Sequence, residues 1–276
     1  MKIRNKNKLD KLSLKLRKII IDLFLIGQKK GIGGHIGGAF SLVEILRVLY
    51  FNFAKNKPYS SNWINRDRVI FSKGHGCLAL YAILFYKGFI KKKAIQNYGK
   101  KNSILGGHPE HFINGVEAST GSLGHGFPIG VGIALASKIK KRKNKVVVVV
   151  GDGELNEGSN WEAAMTATKY KLNNLIIIID YNRYQSYGKL NDISNLNSIK
   201  KKFVSFGFYT QEVNGHDIKK LQTTLNNSKK SKLKPSAIIC HTTKGKGLKE
   251  AENNPEWHYV KKLDQNKISR IYNKLR

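Results

Sequence analysis

Two polar side chains follow consecutive apolar runs in the middle of the chain, and their types suit a metal ion. Asp152 comes just after the β-branched run 146–150, and Asn182 comes just after the second run, 175–179. A helical stretch separates the two runs, so they form a βαβ unit whose parallel strands end at the same edge of a sheet. The Asp152 carboxylate, the Asn182 amide and a backbone carbonyl near Tyr184 would together give Mg²⁺ the oxygen ligands that it prefers.

Glycines on both sides of Asp152 indicate that an anion approaches the backbone here. Gly151 and Gly153 have no side chain to block a phosphate, and the amino end of a helix predicted over 158–170 would attract it. A Gly-Asp-Gly triplet alone is common in turns. This triplet is more specific because it ends a buried strand, which is where open α/β folds bind their ligands.

The predicted strands and helices alternate along the chain and indicate an α/β fold. Apolar residues recur at three- and four-residue steps over 9–25, which predicts a first helix. Ser41 followed by Glu44 predicts a capping box at the start of a second helix over 42–53. Further elements are predicted as strands at 68–72 and 237–240 and as helices ending near Tyr86 and spanning 264–276. We expect a three-layer α/β/α arrangement with a central, mainly parallel sheet.

The chain divides into one large domain and two short basic ends. A disordered tail is expected over 1–8, a ligand-binding domain over 9–260 and a basic extension over 261–276. No apolar run reaches the ~20 residues needed to cross a bilayer, and the N-terminal pattern is not that of a signal peptide. Only two cysteines are present, Cys77 and Cys240, which is too few for a disulfide framework. These features predict a cytoplasmic protein without a membrane partner.

The formal net charge of +32 has two interpretations. A polyanion such as nucleic acid is the usual partner of a strongly basic protein. Alternatively, an A/T-biased genome fills exposed positions with lysine, since 41 basic residues are Lys and nine are Arg, spread along the chain. The spread favours compositional drift over a nucleic-acid partner, and either interpretation leaves a mild attraction for phosphorylated substrates.

The Gly-Asp-Gly triplet followed at a distance by Asn182 resembles the motif of the thiamine-diphosphate enzymes. Within that group the chain resembles the amino-terminal part of transketolase, especially the split form in which this part is a separate chain. The resemblance covers nearly everything from Leu9 to Val260. It is carried by these segments: Gly34-His35-Ile36-Gly37-Gly38, Asp67-Arg68-Val69-Ile70, Ser72-Lys73-Gly74-His75, Gly107-His108-Pro109, Ser119-Thr120-Gly121-Ser122-Leu123-Gly124, Gly151-Asp152-Gly153-Glu154, Asn156-Glu157-Gly158, Trp161-Glu162-Ala163-Ala164 and Asp180-Tyr181-Asn182.

The resemblance implies a thiamine-diphosphate-binding fold over 9–260 with a site for the cofactor and Mg²⁺. The metal ligands would be Asp152, Asn182 and the carbonyl of Tyr184. The diphosphate would contact Gly153 and accept hydrogen bonds from His75 and His258. The thiazolium ring would lie near Gly121, Ser122 and Leu123. The sequence leaves open whether Lys244 and Lys246 also bind phosphate or only solvate a loop.

The resemblance also implies residues that act on the substrate and link paired sites. His35 and His108 would face the substrate hydroxyl groups beside the reactive carbon. Glu157 and Glu162 would belong to the acidic cluster that connects paired active sites in this family. Both acids have simpler interpretations, because Glu157 could compensate a helix dipole and Glu162 could be a solvated helix residue.

The expected activity is the transfer of a two-carbon ketol unit from a ketose phosphate to an aldose phosphate, as in the pentose phosphate pathway of carbohydrate metabolism. In the family, a Glu in a second, pyrimidine-binding domain activates the cofactor, and that domain does not fit within the 276 residues. The resemblance therefore implies that the partner is a separate, C-terminal transketolase subunit. A homodimer core within a heterotetramer is the expected assembly.

Three positions depart from the family pattern: those at His125 and 248–251 concern substrate contacts, and Tyr259 concerns the role of His258. His125 stands where the family commonly has Gln, Tyr259 stands where it often has Gly, and the segment 248–251 is less apolar. A deoxyxylulose-phosphate synthase-like enzyme is the main alternative within the thiamine-diphosphate group. The segments 107–109 and 161–163 favour transketolase over that alternative.

Overall fold

A five-stranded sheet forms the centre of the protein, whose computed structural model describes residues 9–58, 63–196 and 198–275. The strand order is β1-β2-β3-β7-β6, and every neighbouring pair is parallel. Strands β4 and β5 form a separate antiparallel pair. The strands are β1 Arg68–Phe71, β2 Val146–Gly151, β3 Leu175–Tyr181, β4 Tyr184–Gln185, β5 Gly188–Lys189, β6 Tyr209–Asn214 and β7 Ser236–His241. The expected disordered tail, 1–8, lies outside the described residues.

Helices cover both faces of the sheet, which confirms the three-layer α/β/α prediction. Alternate residues of β2 point to opposite faces, so Val147 and Val149 join one core while Val146, Val148 and Val150 join the other. The first core contains residues of α1–α4, α10 and α11, and the second contains residues of α6, α7 and α9. The helices are α1 Lys11–Gln28, α2 Ile36–Phe40, α3 Val43–Val48, α4 Cys77–Tyr86, α5 Lys92–Gln96, α6 Gly126–Ile139, α7 Gly158–Lys169, α8 Leu190–Ile193, α9 Ile199–Ser205, α10 Ile218–Ser228 and α11 Gln265–Lys274.

The predicted βαβ unit is present as β2, α7 and β3. The two strands pair in parallel from Val146 with Leu175 to Gly151 with Asp180. The strands are buried along nearly their whole length, as their β-branched composition indicated. Consequently the residues that follow Gly151 and Tyr181 emerge side by side at the carboxyl edge of the sheet.

The second predicted helix differs from the expectation. Residues 42–53 form α3 and then a π-helical turn, Leu49–Phe53, and α2 precedes them. Ser41 does not cap a helix, because its hydroxyl donates to a carboxylate oxygen of Asp180 at 2.7 Å. Glu44 does not complete a capping box either, because it forms a buried ion pair with Arg17 at 2.6 Å. Tertiary partners have replaced the local hydrogen bonds of the predicted motif.

The C-terminal helix α11 packs against α1. Ile271 is fully buried in the same core, and the Tyr272 hydroxyl donates to Asp22 on α1. The Leu263 amide donates to the side-chain oxygen of Gln28 at 2.6 Å. Helix α11, which lies beyond residue 260, is thus attached to the rest of the domain by buried contacts. The predicted domain boundary after residue 260 remains a prediction.

Neither a membrane span nor a disulfide appears among the described residues. None of their helices combines the length and apolar character needed to cross a bilayer. Cys77 and Cys240 are both free and buried.

Candidate functional site

A cavity of about 250 Å³ opens at the carboxyl edge of the sheet. Strands β1, β2, β3 and β7 each deliver side chains to it just after they end, which is the expected ligand-binding place in an open α/β sheet. Three loops from other parts of the chain close the remaining walls. The lining residues used below are His35, Lys73, His75, Gly121, Leu123, Asp152, Gly153, Asn182, Tyr184, Lys244 and His258.

Asp152 and Asn182 lie together in this cavity, at the ends of neighbouring strands. Both side chains are almost completely buried, with exposed fractions of 1% and 4%. The Asp152 carboxylate accepts hydrogen bonds from the backbone amides of Gly153 at 2.9 Å and Arg183 at 2.5 Å. The Asn182 amide oxygen accepts from the amide of Tyr184 at 3.1 Å, and Tyr184 itself lines the cavity. The backbone that joins Asn182 to Tyr184 is therefore folded around the carboxylate.

A second buried carboxylate, Asp180, lies next to Asp152 and Asn182 and orients the Asn182 side chain. It accepts hydrogen bonds from Lys73, Ser41 and Thr242. The Asn182 side-chain amide nitrogen also donates to it, at 3.3 Å. The Asp180 pKa is lowered, because the Lys73 ammonium and the hydroxyl donors outweigh the effect of burial. Since the Asn182 nitrogen is held by Asp180, the amide has a fixed orientation.

Three histidines gather on one wall of the cavity. The His35 ring centre lies 5.3 Å from that of His75 and 5.0 Å from that of His258. A short antiparallel contact between Gly34 and Val260 brings the two outer segments together. Burial lowers the pKa of His35 to about 4 and that of His258 to about 3, and nearby cations add to the effect. These two histidines are therefore neutral near pH 7, and each has one ring N–H to donate.

Lys244 adds a buried positive charge to the same wall. Only 1% of the residue is exposed, and its ammonium donates to the Ser186 carbonyl at 2.9 Å and lies 3.3 Å from Nδ1 of His258. Burial and the neighbouring Lys73 lower the Lys244 pKa to about 8. Lys246, by contrast, lies nearer the surface, 3.5 Å from Glu252. Of the two lysines that the sequence left open, Lys244 faces the cavity.

The loop that contains Gly121, Ser122 and Leu123 forms another part of the cavity wall. Gly121 and Leu123 line the cavity, whereas Ser122 is exposed. Glu154 holds the loop in place, because its buried carboxylate accepts from the Gly124 amide at 3.0 Å. Ser159 at the start of α7 donates to the Gly124 carbonyl at 2.7 Å. Since Gly124 has a φ of +81° and a Cβ there would lie 2.6 Å from Glu157, glycine is required at this turn.

His108 lies beside this loop and outside the closed part of the cavity. A Cβ placed on Gly121 would come within 2.8 Å of the His108 ring. The His108 side chain is exposed to solvent, and it is close enough to His35 to contribute to the lowered pKa of that histidine. His108 therefore lies beside the 121–123 loop and within electrostatic reach of His35. His125 is exposed, with its ring Nδ1 3.0 Å from the Leu123 carbonyl.

Glu157 and Glu162 do not line the cavity. Both are exposed, Glu157 immediately before α7 and Glu162 on its first turns. Neither carboxylate takes part in an ion pair among the described residues. Their placement leaves them accessible to another chain, and a role in linking sites remains a prediction.

The donor set fits a divalent cation that is bridged to an anion. Burial and the nearby Asp180 raise the Asp152 pKa to about 7, so the cavity favours a positive partner for this carboxylate. The described residues hold no cluster of three or more His, Cys, Asp or Glu side chains arranged around a metal. Phosphate oxygens and water would therefore have to complete the coordination of an ion held by Asp152 and Asn182, as Mg²⁺ accepts.

Comparisons with known proteins identify the family. The family described as "Transketolase, thiamine diphosphate binding domain" matches residues 15–275. The chain belongs to the transketolase family. It corresponds to the thiamine diphosphate-binding, N-terminal part of a transketolase, as the order of its sequence motifs predicted.

Relatives of similar length are named as subunits of transketolases. The chain is 42% identical over 251 residues to one subunit of the apulose-4-phosphate transketolase of Actinobacillus succinogenes, and the match covers 91% of each chain. It is 37% identical over 233 residues to the 6-deoxy-6-sulfo-D-fructose transketolase subunit SqwG of a Clostridium species, with 84% of this chain and 85% of that one covered. The chain is thus similar in extent to a single subunit of a split transketolase.

Solved transketolases have the same fold. The structure superposes on the transketolase of Leishmania mexicana with a TM-score of 0.88 and 29% identity. The superposition covers 97% of this chain and 42% of the Leishmania chain. This protein therefore spans about two fifths of such a single-chain transketolase.

Four residues at the site were not assigned a role from the sequence: Lys73, Glu154 and Lys244, which line the cavity, and Asp180, which supports it. Lys73 and Asp180 fall inside segments that carry the family resemblance, yet a buried ion pair between two distant strand ends has no local signature. Lys244 belongs to a basic loop and could not be distinguished from Lys246 by spacing. Glu154 directly follows Gly153, and only the fold shows that its carboxylate faces the 120–125 loop.

Proposed function

We propose that this chain is the subunit of a two-chain transketolase that holds the diphosphate of thiamine diphosphate through a Mg²⁺ ion. The convergence of Asp152 and Asn182 in a cavity with two buried lysines, Lys73 and Lys244, carries the proposal. A hard cation fits the oxygen atoms, and an anion fits the Lys244 ammonium, since the Lys73 ammonium is paired with Asp180. Family membership makes thiamine diphosphate the natural anion, and the metal is inferred from the donor chemistry.

The diphosphate would lie between the metal ligands and the histidine wall. Gly153 lines the cavity at the start of a 3₁₀ turn, and it has no side chain to block a phosphate. His75 and His258 are neutral and can each donate one N–H to phosphate oxygens. Lys244 adds a charged donor from the same side. The carbonyl of Tyr184 is proposed as the third protein ligand of the metal.

The thiazolium end would lie against Gly121, Ser122 and Leu123, with the substrate beyond it. His35 lines the cavity and His108 lies against this loop, so we assign them to the hydroxyl groups of the sugar. When bound, the cofactor supplies a nucleophilic carbon and an electron sink for carbon–carbon cleavage. The protein's own residues bind the diphosphate, exclude water from Asp152 and orient the substrate hydroxyls.

A partner chain is part of the proposal. The relatives of similar length are named as subunits, and this chain covers about two fifths of a single-chain transketolase. We propose that a C-terminal, pyrimidine-binding subunit completes each active site. Glu157 and Glu162 are exposed beside the site, where they can link it to a second one across a homodimer core within a heterotetramer. The cytoplasm is the proposed location, since the two cysteines are free.

The substrates are proposed to be a ketose phosphate as donor and an aldose phosphate as acceptor. The names of two relatives mention apulose-4-phosphate and 6-deoxy-6-sulfo-D-fructose, which are sugars with an anionic group. The positive charge of this protein would attract either kind of substrate. An assay with phosphorylated and sulfonated ketoses in parallel would distinguish the two.

Co-purification tests the proposal most completely. The tagged chain would be isolated from its native cells, its companion identified by mass spectrometry, and the complex assayed with Mg²⁺, thiamine diphosphate, a ketose phosphate and an aldose phosphate. We expect two-carbon transfer by the complex and none by the isolated chain. Transfer by the isolated chain at an ordinary enzymatic rate would contradict the need for a partner.

Two other functions make different predictions in the same experiment. A deoxyxylulose-phosphate synthase-like enzyme would use pyruvate as donor in place of the ketose phosphate. A chain retained only for assembly would co-purify with its partner but would not bind the cofactor. Cofactor binding that is unchanged in Asp152→Ala would contradict the proposed site.

A further inference from the structure

The edge of the sheet opposite the cavity carries a concentration of positive charge. Because all five strands are parallel, the segments that lead into them meet at this edge. Three of those segments, together with the last residues of the helices before them, define what we call the amino-end surface. Its cations are Lys138, Lys140, Lys141, Arg142, Lys143, Lys145, Lys169, Lys171, Lys229, Lys230, Lys232 and Lys234.

Direct contacts show that the three segments form one continuous surface. The Lys138 ammonium donates to the carbonyls of Tyr170 and Lys171 at 2.8 and 2.9 Å. The Lys145 ammonium donates to the Asn173 carbonyl at 3.0 Å, and the Asn173 side chain donates to the Lys232 carbonyl at 2.8 Å. The residues 138–145, 169–174 and 229–235 are therefore adjacent, although they are far apart in sequence.

No acidic residue balances these cations within the three segments. Asp67, just before β1, is the nearest acid in the neighbouring segment, but it is 5% exposed and accepts from the backbone amides of Lys55 and Lys145. Among the described residues, no ion pair includes a cation of the amino-end surface. Although lysine is spread evenly along the sequence, the fold thus brings a local excess of positive charge to this surface.

Helix-dipole compensation explains only part of this excess. Helices α6, α7 and α10 end at this edge, and a cation near each carboxyl terminus is stabilising. Lys138 and Lys169 lie in the last turns of α6 and α7 and satisfy that requirement. The segment 140–143 then adds four consecutive cations, and the segment 229–234 adds four more with exposed side chains.

Aromatic side chains stand among the cations. An open depression of about 700 Å³ is lined by Trp63, Lys55 and the four cations of 140–143. Tyr170, between Lys169 and Lys171, is 44% exposed. A groove of cations that follows a phosphate backbone, with aromatic rings on which bases can stack, is the usual design of a single-strand binding surface.

We propose that the amino-end surface binds single-stranded nucleic acid, with Trp63 and Tyr170 as stacking platforms. The cations contact backbone phosphates and the rings contact the bases, so binding is not specific for sequence. The site lies at the edge of the sheet opposite the cofactor cavity, and it is independent of the proposed transketolase reaction.

Salt-dependent binding tests this proposal. Fluorescence anisotropy of a labelled single-stranded RNA of about 20 nucleotides would be measured between about 50 and 200 mM KCl. Replacing Lys140, Lys141, Arg142 and Lys143 by Gln removes four cations. The slope of log affinity against log salt is expected to fall by about 3, since each phosphate contact on a single strand contributes about 0.7.

A control variant removes the same charge elsewhere. This control variant also loses four cations, which are exposed and lie on α11 or just before it: Lys262→Gln, Lys267→Gln, Arg270→Gln and Lys274→Gln. We expect the slope to change by less than about 1 in this variant. An equal fall in both variants would show a general effect of net charge and would overturn the proposal. Absence of binding by the unmodified protein at about 150 mM KCl would overturn it as well.

A second comparison separates nucleic acid from other polyanions. Trp63→Leu is expected to weaken RNA binding by about five-fold or more, because stacking on an aromatic ring contributes about 1 kcal/mol or more per base. The same variant is expected to bind inorganic polyphosphate, which has no bases, as well as the unmodified protein does. An equal loss of affinity for RNA and for polyphosphate in Trp63→Leu would overturn the assignment to nucleic acid. It would also be overturned if the unmodified protein bound polyphosphate or polyglutamate as strongly as RNA.

Discussion

At the scale of single residues, Lys244 is the buried positive charge on which the proposed diphosphate site depends. The residue is 1% exposed, and its ammonium donates to the Ser186 carbonyl and lies close to Lys73, so an anion that enters the cavity would stabilise this buried charge. Asp152 would be stabilised by a cation instead, because its carboxylate is buried near a second carboxylate, Asp180. A cation bound together with an anion stabilises both groups at once.

Removal of the Lys244 charge should therefore weaken diphosphate binding. Lys244→Met keeps most of the side-chain volume, and we expect the affinity for thiamine diphosphate with Mg²⁺ to fall about ten-fold or more, as a charged hydrogen bond is lost. Isothermal titration calorimetry would measure it. Lys246→Met is the matched control, and its affinity should change by less than about two-fold. Equal losses in the two variants would contradict the assignment of Lys244.

The residues that sequence could predict are those fixed by local geometry. Asp152 and Asn182 each follow a buried strand, so the βαβ rule alone brings them together. Lys244 and Asp180 act through contacts between distant segments, and no spacing reveals such contacts. Glu157 and Glu162 were assigned by resemblance, and their exposure is compatible with a role that a partner chain would complete.

At the scale of elements, the contact between α6 and β2 depends on a glycine. A Cβ on Gly130 would lie 2.3 Å from a methyl carbon of Val148 in the central sheet. Gly132, two residues later, is exposed, and a Cβ there would meet no atom within 4 Å. The two glycines belong to the same helix but have opposite surroundings.

Substitution of the two glycines should change stability in opposite directions. We expect Gly130→Ala to lower the free energy of unfolding by about 1–3 kcal/mol, because the methyl group overpacks the helix–sheet contact. Gly132→Ala should raise it by up to about 1 kcal/mol, because alanine favours the helix. Urea unfolding of both variants would measure these changes. A stabilising Gly130→Ala would show that α6 does not lie this close to β2.

The strands and the main helices were predictable, whereas the second helix was not. Apolar runs of β-branched residues specify buried strands without help from the rest of the chain. The Ser41 and Glu44 pattern suggested a capping box, but Asp180 and Arg17 offer these side chains buried partners. Tertiary contacts of this kind override local capping preferences, and they cannot be read from a short segment.

At the scale of the whole molecule, the layered fold gives the two edges of the sheet different chemistry. The carboxyl edge gathers half-buried histidines and the proposed metal ligands, and the amino edge gathers exposed cations. Net charge alone could not predict this division, because the position of each lysine depends on which end of a strand it precedes.

The half-buried histidines of the cavity predict that acid destabilises the folded protein. Burial and the nearby Lys73 lower the pKa of His75 well below its ordinary value of 6.5. The unfolded chain therefore binds a proton below about pH 6.5 that the folded protein does not, and stability falls with pH by at most about 1.4 kcal/mol per pH unit for each such histidine. Asp152, whose pKa is raised to about 7, contributes in the opposite direction.

A comparison with His75→Gln isolates the contribution of one histidine. The loss in unfolding free energy between pH 7 and pH 5 should be larger in the unmodified protein than in the variant, by about 1–2 kcal/mol. The effect of Asp152 is common to both proteins and cancels in the difference. Identical losses, measured by urea unfolding without cofactor, would mean that His75 is protonated in the folded state.

The location of the metal tests the central claim most directly. Crystals grown with Mn²⁺ and thiamine diphosphate would give an anomalous difference map that shows where the ion binds. We predict one strong peak about 2.1 Å from a carboxylate oxygen of Asp152 and from the amide oxygen of Asn182, next to density for the diphosphate. A diphosphate bound elsewhere, or a peak beyond the reach of both side chains, would contradict the account.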